Sequence, residues 1–442
     1  MPFRGALICG TLRPCTGRAG AETGVRARGA SATAKETGLA SSLETDVLVI
    51  GAGPAGCAAA RTLARHGLRV VLVDRQRAPR DKICGDALIP DALEALATLG
   101  LQERVAAEAN AIDALRLYAP NGRYVELAAQ IACLPRRRLD QLMREAAEQA
   151  GATVIAPWRV VAPLEEDGAV TGAAFNSPDQ AATLTVRARN TILATGAAAD
   201  VLMTFAMCVR RQASAMAARV YVRAPAAFVR GHPYLAISYG RDICPGYGWI
   251  FPLPDNTFNV GVGYFNDIGL RPPTTNLRHL LARFVEAFAP ARALMAVAQP
   301  LTDVRGAPLR TALTGARLGR PGLLVVGEAA GLTYSFSGEG IGKSIASGII
   351  AGDAIAHAAR ATNGSVDPAA AYAARIKTEF AERFSSYSIA EKWLAHPAML
   401  QFLVRRASAG RYVRQRLQDM LTEAADPREL FSLTGLLKAS VL

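Results

Sequence analysis

The chain has 442 residues, 51% apolar and 20% charged, which excludes a largely disordered polymer and allows a well-buried core in two or three domains. The formal net charge of +13 would suit a polyanion partner, but Arg supplies 44 and Lys 6 of the 50 bases, a skew that reads as codon bias. Cysteines at 9, 15, 57, 84, 133, 208 and 244 form no CxxC pair and no Cys/His cluster, so no metal site or disulfide framework is expected and a reducing compartment fits.

Residues 1–43 are rich in Gly, Ala, Ser and Thr and lack apolar periodicity. Arg4, Arg13, Arg18, Arg26, Arg28 and Lys35 face only Glu22 and Glu36 there. That composition suits an organelle transit peptide or a disordered tail. Either way it stands outside the fold. No apolar run approaches the roughly 18 residues that span a membrane.

The fold is expected to open at Asp46. Asp46–Ile50 is a short β-branched run, as in a buried parallel strand. Gly51-Ala-Gly53-Pro54-Ala55-Gly56 follows, then an Ala-rich helix from Cys57 to His66 capped by Gly67. Leu68–Val73 is a second strand, ending at Asp74. This is a complete βαβ unit. Gly51 allows the tight turn, Gly53 the approach of a pyrophosphate, and Gly56 close helix–strand packing. The helix N-terminus offers free N–H groups to phosphate. Asp74, 18 residues after Gly56, can hold a ribose hydroxyl and disfavours a 2′-phosphate. The ligand expected is FAD or NAD rather than NADP.

Pro79-Arg-Asp-Lys82-Ile-Cys84-Gly85-Asp-Ala-Leu88 comes next. Leu115–Leu127 alternates about Asn121-Gly122, a hairpin signal. Residues 139–150 are expected as a helix, Ala152–Ile155 as a strand, Ala169–Phe175 and Thr183–Val186 as a hairpin, and Thr191–Ala194 as a strand before Thr195-Gly196. Short alternating strands between Met216 and Gly263, including Ala218–Val222 and Phe258–Val262, imply an antiparallel sheet. Tyr247, Trp249 and Phe251 are two apart, so on a strand they share a face, either filling core or lining a pocket. Helices resume at Asn276–Ala287. Downstream, Leu323–Val326 leads to Gly327-Glu328-Ala-Ala-Gly331, and Ser337-Gly338-Glu-Gly340 opens a helix from Ile341 to about Ala359. From about Val366 the chain is helical, with Val413, Leu417, Met420 and Leu421 at helical spacing among Arg405, Arg406, Arg411, Arg414 and Arg416. That pattern suits a helical cap or an amphipathic surface at a membrane.

Gly51–Gly56, Pro79–Asp86, Pro245-Gly-Tyr-Gly-Trp-Ile-Phe-Pro252, Asn259-Val-Gly-Val-Gly263 and Gly327–Gly340 together resemble the geranylgeranyl reductase family of flavoproteins, which includes menaquinone side-chain reductases and belongs to the p-hydroxybenzoate hydroxylase superfamily. The likeness runs from Asp46 to near the C-terminus. It implies an α/β fold: a Rossmann-type FAD-binding domain, an inserted antiparallel β-sheet substrate domain and a helical C-terminal region. The corresponding division is a tail over 1–45, a discontinuous FAD-binding domain over 46–110, 131–200 and 301–365, a substrate domain over 111–130 and 201–300, and a helical region over 366–442. The cofactor is then FAD. Its expected contacts are Gly51, Gly53, Pro54, Ala55, Gly56, Asp74 and Arg75 at the ADP half, and Arg136, Gly196 and Glu328 further along. Gly338, Gly340 and Ile341 would meet the ring's pyrimidine edge, and Cys84 with Gly85 its reactive face. Tyr247, Trp249 and Phe251 would line the substrate cavity. Glu328 stands where the family usually has Asp, Ser335 where relatives often have Pro, and Thr195-Gly196 where many have Asp-Gly. The last departure weakens a hydroxylase reading and leaves the electron donor open: NAD(P)H, another reductant, or an electron-donor protein.

Reduced flavin delivers hydride, so an alkene reductase must add a proton. No His lies in these motifs; the candidate donors are Cys84, Tyr247 or a bound water. The expected activity is reduction of carbon–carbon double bonds in a polyprenyl or lipid-like substrate. The alternatives are a monooxygenase of secondary metabolism, with a halogenase ranked lower, and a redox-silent binding module. An apolar small-molecule substrate, no nucleic acid and no metal are expected. The setting is cytoplasmic, with peripheral membrane contact or organelle targeting by residues 1–43 as variants.

Overall fold

The computed structural model describes residues 41–209, 213–243, 246–265, 276–311, 313, 315–334, 337–361, 366–394 and 396–441. The tail up to residue 40, Pro245 and Ser335 lie outside the described residues. The opening strand is longer than its apolar run, spanning Ser41–Ile50. Its polar first half pairs in parallel with Leu184–Ala188, and backbone pairing carries no hydrophobic signature. Thr183–Val186 and Thr191–Ala194, expected as separate strands, fuse into one, Thr183–Leu193. The charged stretch between them continues the same ladder.

The first sheet runs Gly319–Arg320, Leu323–Val325, Thr183–Leu193, Ser41–Ile50, Val70–Val73, Thr153–Ile155. Its four central pairings are parallel. The hairpin Arg159–Glu166 and Ala169–Asn176 extends it through an antiparallel pair with Thr183–Leu193. Helices Pro54–Arg65, Arg136–Gln149 and Ile341–Arg360 join the strands in one apolar core. The run Val47–Ile50 is buried throughout, as its composition requires when both faces are covered.

The second sheet runs Gln299–Pro300, Ala215–Arg223, Thr257–Phe265, Gly246–Pro252, Leu235–Ser238, Asn110–Tyr118, Tyr124–Cys133, Ala87–Leu88, with Arg305–Leu309 beside Ala215–Arg223. It is antiparallel except where Leu235–Ser238 runs parallel to Asn110–Tyr118. The chain between those two strands passes through half of the first sheet's strands, so no hairpin constrains their direction. The expected hairpin around Asn121-Gly122 forms, with Tyr118 opposite Tyr124. Ala87–Leu88 and Arg305–Leu309 join this sheet, although the sequence division set both in the FAD-binding domain.

Helices Pro368–Leu394, Pro397–Ala409, Arg411–Leu421 and Leu433–Val441 follow. Val413, Leu417 and Met420 are buried together with Tyr247, Trp249 and Phe251 in one apolar cluster. Helices Pro397–Ala409 and Arg411–Leu421 thus pack on strand Tyr124–Cys133, in the cluster that also holds the three aromatic residues. Several arginines of the expected basic face serve this packing: Arg406 donates to Ala439 O at 2.5 Å, Arg414 to Ala407 O at 3.0 Å, and Arg416 pairs with Glu429 at 2.8 Å. Arg405 and Arg411 are exposed. No helix among the described residues is long and apolar enough to cross a membrane.

Candidate active site

The glycine turn between the first strand and helix Pro54–Arg65 is built by close contact. A Cβ at Gly56 would overlap Gly51 O, and one at Gly51 would overlap Ala194 O. The backbones therefore meet where side chains cannot fit. Pro54 occupies the first helical turn, with no side-chain cap and no acidic residue there. The N-terminal N–H groups and positive dipole end remain available to an anion. Asp74 accepts from Ala52 N at 2.7 Å and Gln76 N at 2.8 Å, tying the second strand's end to the turn. Arg75 points to solvent.

Two arginines share Asp140. The Arg136 guanidinium is buried and bonds both Asp140 oxygens, at 2.9 and 3.1 Å, and it also reaches the Cys84 sulfur. Arg80, which the sequence did not single out, lies over the glycine turn. Its Nη2 is 2.8 Å from Asp140 Oδ2, and a Cβ on Gly53 would stand 3.0 Å from it. Arg80 Nε and Thr195 Oγ1, both beside this turn, are buried without hydrogen-bond partners. An uncapped helix end, a guanidinium and unpaired buried polar atoms around a side-chain-free turn fit a dinucleotide pyrophosphate.

Segments far apart in the chain meet at Glu328. Its Oε2 pairs with Lys82 at 3.2 Å and its Oε1 accepts from Arg310 N at 3.2 Å. Gly196 lies alongside, where a Cβ would be 3.5 Å from Glu328 Oε2. Gly340 packs on Thr333, and Ile341 starts the long helix.

Strand Gly246–Pro252 joins these segments. Tyr247, Trp249 and Phe251 share one face and sit ring against ring, with centroids 5.9 and 6.1 Å apart. The Phe251 ring covers Gly85, where a Cβ would stand 2.7 Å from it. At the other end, the Tyr247 hydroxyl donates to Ser337 O, and a Cβ on Gly338 would lie 3.1 Å from that hydroxyl. One aromatic face thus touches both the Cys84–Gly85 turn and the Ser337–Gly340 turn.

Burial pushes both the Cys84 thiol and the Tyr247 phenol above their ordinary pKa values. Nearby Arg136 opposes the shift at Cys84, and Asp86 N–H points at the sulfur from 3.4 Å. Burial also raises Asp86 to about 6, against hydrogen bonds from Tyr221, Arg136 and Asn259.

A second buried cluster lies just past Gly340, and the sequence reading missed it. Lys343 is 1% exposed and its ammonium contacts Asp91 at 2.6 Å, Glu339 at 2.5 Å, and Glu423. Asp91, Glu339 and Glu423 are close enough together to hold a cation, and the Lys343 ammonium is the cation they share. The available signal was a lysine inside the small and apolar run Ile341-Gly-Lys-Ser-Ile345.

A family model described as FAD binding domain matches residues 44–381. The chain is 29% identical over 369 residues to a menaquinone reductase of Mycolicibacterium smegmatis, covering 80% of this chain and 86% of that protein. It is 31% identical over 324 residues to a digeranylgeranylglycerophospholipid reductase of Methanosarcina acetivorans, covering 70% and 74%. The chain belongs to the FAD-binding geranylgeranyl reductase family. It is an FAD-dependent oxidoreductase of that family, and its fold recurs in solved structures. A geranylgeranyl bacteriochlorophyll reductase-like protein from Thermoplasma acidophilum superposes with a TM-score of 0.72 at 24% identity, covering 90% of this chain and 96% of that one. A flavin-dependent brominase superposes with a TM-score of 0.69 at 18% identity, covering 90% and 98%, so the fold is shared well beyond reductases.

Proposed function

We propose that this protein saturates carbon–carbon double bonds of a polyprenyl or other lipid-like substrate. The observation that carries this reading is the apolar face of Tyr247, Trp249 and Phe251 stretched between the Cys84–Gly85 and Ser337–Gly340 turns. An aromatic wall offers an isoprenoid large contact area and few polar groups. The names of the reductase relatives support the same substrate class.

In this reading the Gly51–Gly56 turn, Asp74 and Arg80 hold the ADP half of FAD. Gly196, Glu328 and Lys82 lie toward its middle, and Gly338, Gly340 and Ile341 at its ring edge. Bound FAD, once reduced, supplies the hydride. The chain must position the alkene and give a proton to the neighbouring carbon. Cys84 suits that role better than Tyr247. The tyrosine hydroxyl already donates to Ser337 O. The Cys84 thiol is held protonated by burial, and the thiolate left behind would face the Arg136 guanidinium and Asp86 N–H. Solvent then returns the proton. The electron donor is NAD(P)H or another reductant.

Peripheral membrane contact is proposed at helix Leu433–Val441. Leu433, Leu437 and Val441 follow one another at helical spacing and are 80%, 67% and 82% exposed. The exposed bases Arg405, Arg411 and Lys438 belong to the same C-terminal region and suit anionic headgroups.

The test is anaerobic incubation of dithionite-reduced enzyme with a geranylgeranyl compound, read by mass spectrometry. Gain of a pair of hydrogens per reduced bond supports the reading. Product that appears only in air and carries added oxygen would replace it with a monooxygenase.

A further inference from the structure

Asp86 is the residue whose cost the fold explains least by packing. It is fully buried, and its φ is +70°, a conformation that side chains other than glycine seldom adopt. Burial works against its charge. Its carboxylate nevertheless collects donors from three separate elements. Oδ1 accepts from Arg136 N at 3.0 Å, at the start of helix Arg136–Gln149. Oδ2 accepts from the Tyr221 hydroxyl at 2.7 Å and from Asn259 Nδ2 at 2.8 Å, on adjacent strands of the second sheet. The neighbouring guanidinium groups bond other acids: Arg136 holds Asp140, and Arg219 holds Asp81.

Asn259 extends the arrangement in both directions. Its second Nδ2 hydrogen goes to Cys84 O at 2.6 Å, and its Oδ1 accepts from Trp249 Nε1 at 2.9 Å. An indole N–H only donates, and a carboxylate and a carbonyl only accept, so the amide has a single orientation that satisfies all three. Asp86 also donates its own N–H to the Cys84 sulfur at 3.4 Å. Residue 86 therefore touches the Cys84 sulfur through its backbone N–H, while its carboxylate, through Asn259, holds Cys84 O and keys the Trp249 indole to the same point.

We infer that Asp86 is a positioning residue that sets the Cys84 thiol and the Trp249 indole at a fixed separation, with Asn259 as the connecting link and Tyr221 as a supporting donor. The inference rests on the reductase reading for its catalytic meaning: the thiol supplies the proton and the indole walls the alkene, so their spacing decides whether proton and double bond meet. Asp86 itself touches neither substrate nor cofactor.

The discriminating variant is Asp86→Asn in FAD-loaded protein. An amide keeps the size but turns one acceptor into a donor facing either Arg136 N–H or the Tyr221 and Asn259 pair. Flavin absorbance should persist, because no residue of the glycine turn is touched. Alkylation of Cys84 by N-ethylmaleimide, followed by peptide mass mapping, should quicken several-fold as the turn loosens. With a prenyl substrate, kcat should fall about 10- to 100-fold, the scale of an ångström-level misplacement, with a smaller change in KM. Adding Asn259→Ala to Asp86→Asn should cost little more than the larger single change, because both act through one link.

Tyr221→Phe removes one of the three donors and should give a smaller effect in the same direction; it serves as the test if Asp86→Asn fails to fold. Cys84 alkylation within twofold of wild type in a folded, flavin-loaded Asp86→Asn, or in Tyr221→Phe if that variant must stand in, overturns the inference. Faster alkylation in the variant, with a wild type inactive on prenyl alkenes, keeps the anchor and removes the reductase reading instead.

Discussion

Replacing Lys343 by Met keeps most of the side-chain volume and removes the positive charge that the three carboxylates share. Asp91, Glu339 and Glu423 are 22%, 12% and 7% exposed as side chains, so solvent cannot take over from the ammonium. Glu423 retains Arg383 at 3.1 Å and the Tyr334 hydroxyl at 3.2 Å, but Asp91 Oδ1 is already buried without a partner. Breaking a buried ion pair from one side costs about 3–5 kcal/mol, and this cluster should fall in that range near pH 8. Acid should relieve the loss. Burial, followed by the charge of Glu339, lifts Asp91 from 3.8 to about 7 against the pull of Lys343. A carboxyl raised in the folded state contributes stability that is full below the unfolded pKa and lost as pH rises through the folded one. Wild type should therefore lose stability from Asp91 between about pH 4 and 7. Without Lys343 the acids take up protons more readily, so that window extends upward and the cost shrinks on acidification. Urea unfolding of the FAD-loaded protein at pH 5.5 and pH 8 measures both effects. Asp91→Asn should flatten the wild-type slope and rescue part of the Lys343→Met loss. A cost under about 1 kcal/mol at pH 8, well below the usual range for a broken buried pair, or an equal cost at both pH values, would refute the reasoning.

Arg80→Gln should weaken FAD binding about tenfold or more, the worth of one charge-assisted hydrogen bond, by titration calorimetry on apoprotein. Thermal stability of the apoprotein should change little, because Asp140 keeps both Arg136 bonds. Unchanged affinity would remove Arg80 from the pyrophosphate site. Gly85→Ala should push on the Phe251 ring and lower flavin content or turnover; combining it with Phe251→Leu should restore part of the loss, and equal single and double variants would show that the contact is inconsequential. Leu433→Gln with Leu437→Gln and Val441→Thr should abolish flotation with anionic liposomes and leave solution turnover intact. Wild type that fails to float would withdraw the membrane contact.

The parts of the site legible in sequence are those whose partners are close along the chain. Gly51, Gly53, Gly56 and Asp74 lie in one βαβ unit, and turn geometry fixes their spacing whatever the rest does. The shared face of Tyr247, Trp249 and Phe251 follows from strand periodicity alone. Arg80 shows the limit of that reasoning. It lies over the glycine turn and pairs with Asp140, a placement that nothing near it in the sequence signals. Among the described residues several arginines bond acids or helix-end carbonyls, as Arg138 does Glu108 and Arg61 does Leu99 O.

The sequence by itself determined a dinucleotide-binding βαβ unit, the two kinds of sheet and the shared aromatic face, because each rests on local backbone preference or a short repeat. Only the tertiary structure decided how that face is held. Asp86 meets Tyr221 and Asn259 across 135 and 173 residues, and Lys343 meets Asp91 across 252. A single buried Asp or Lys in sequence carries no mark of such partners. Their choice depends on which donors and acceptors folding brings together once water is excluded, and burial then makes that pairing obligatory.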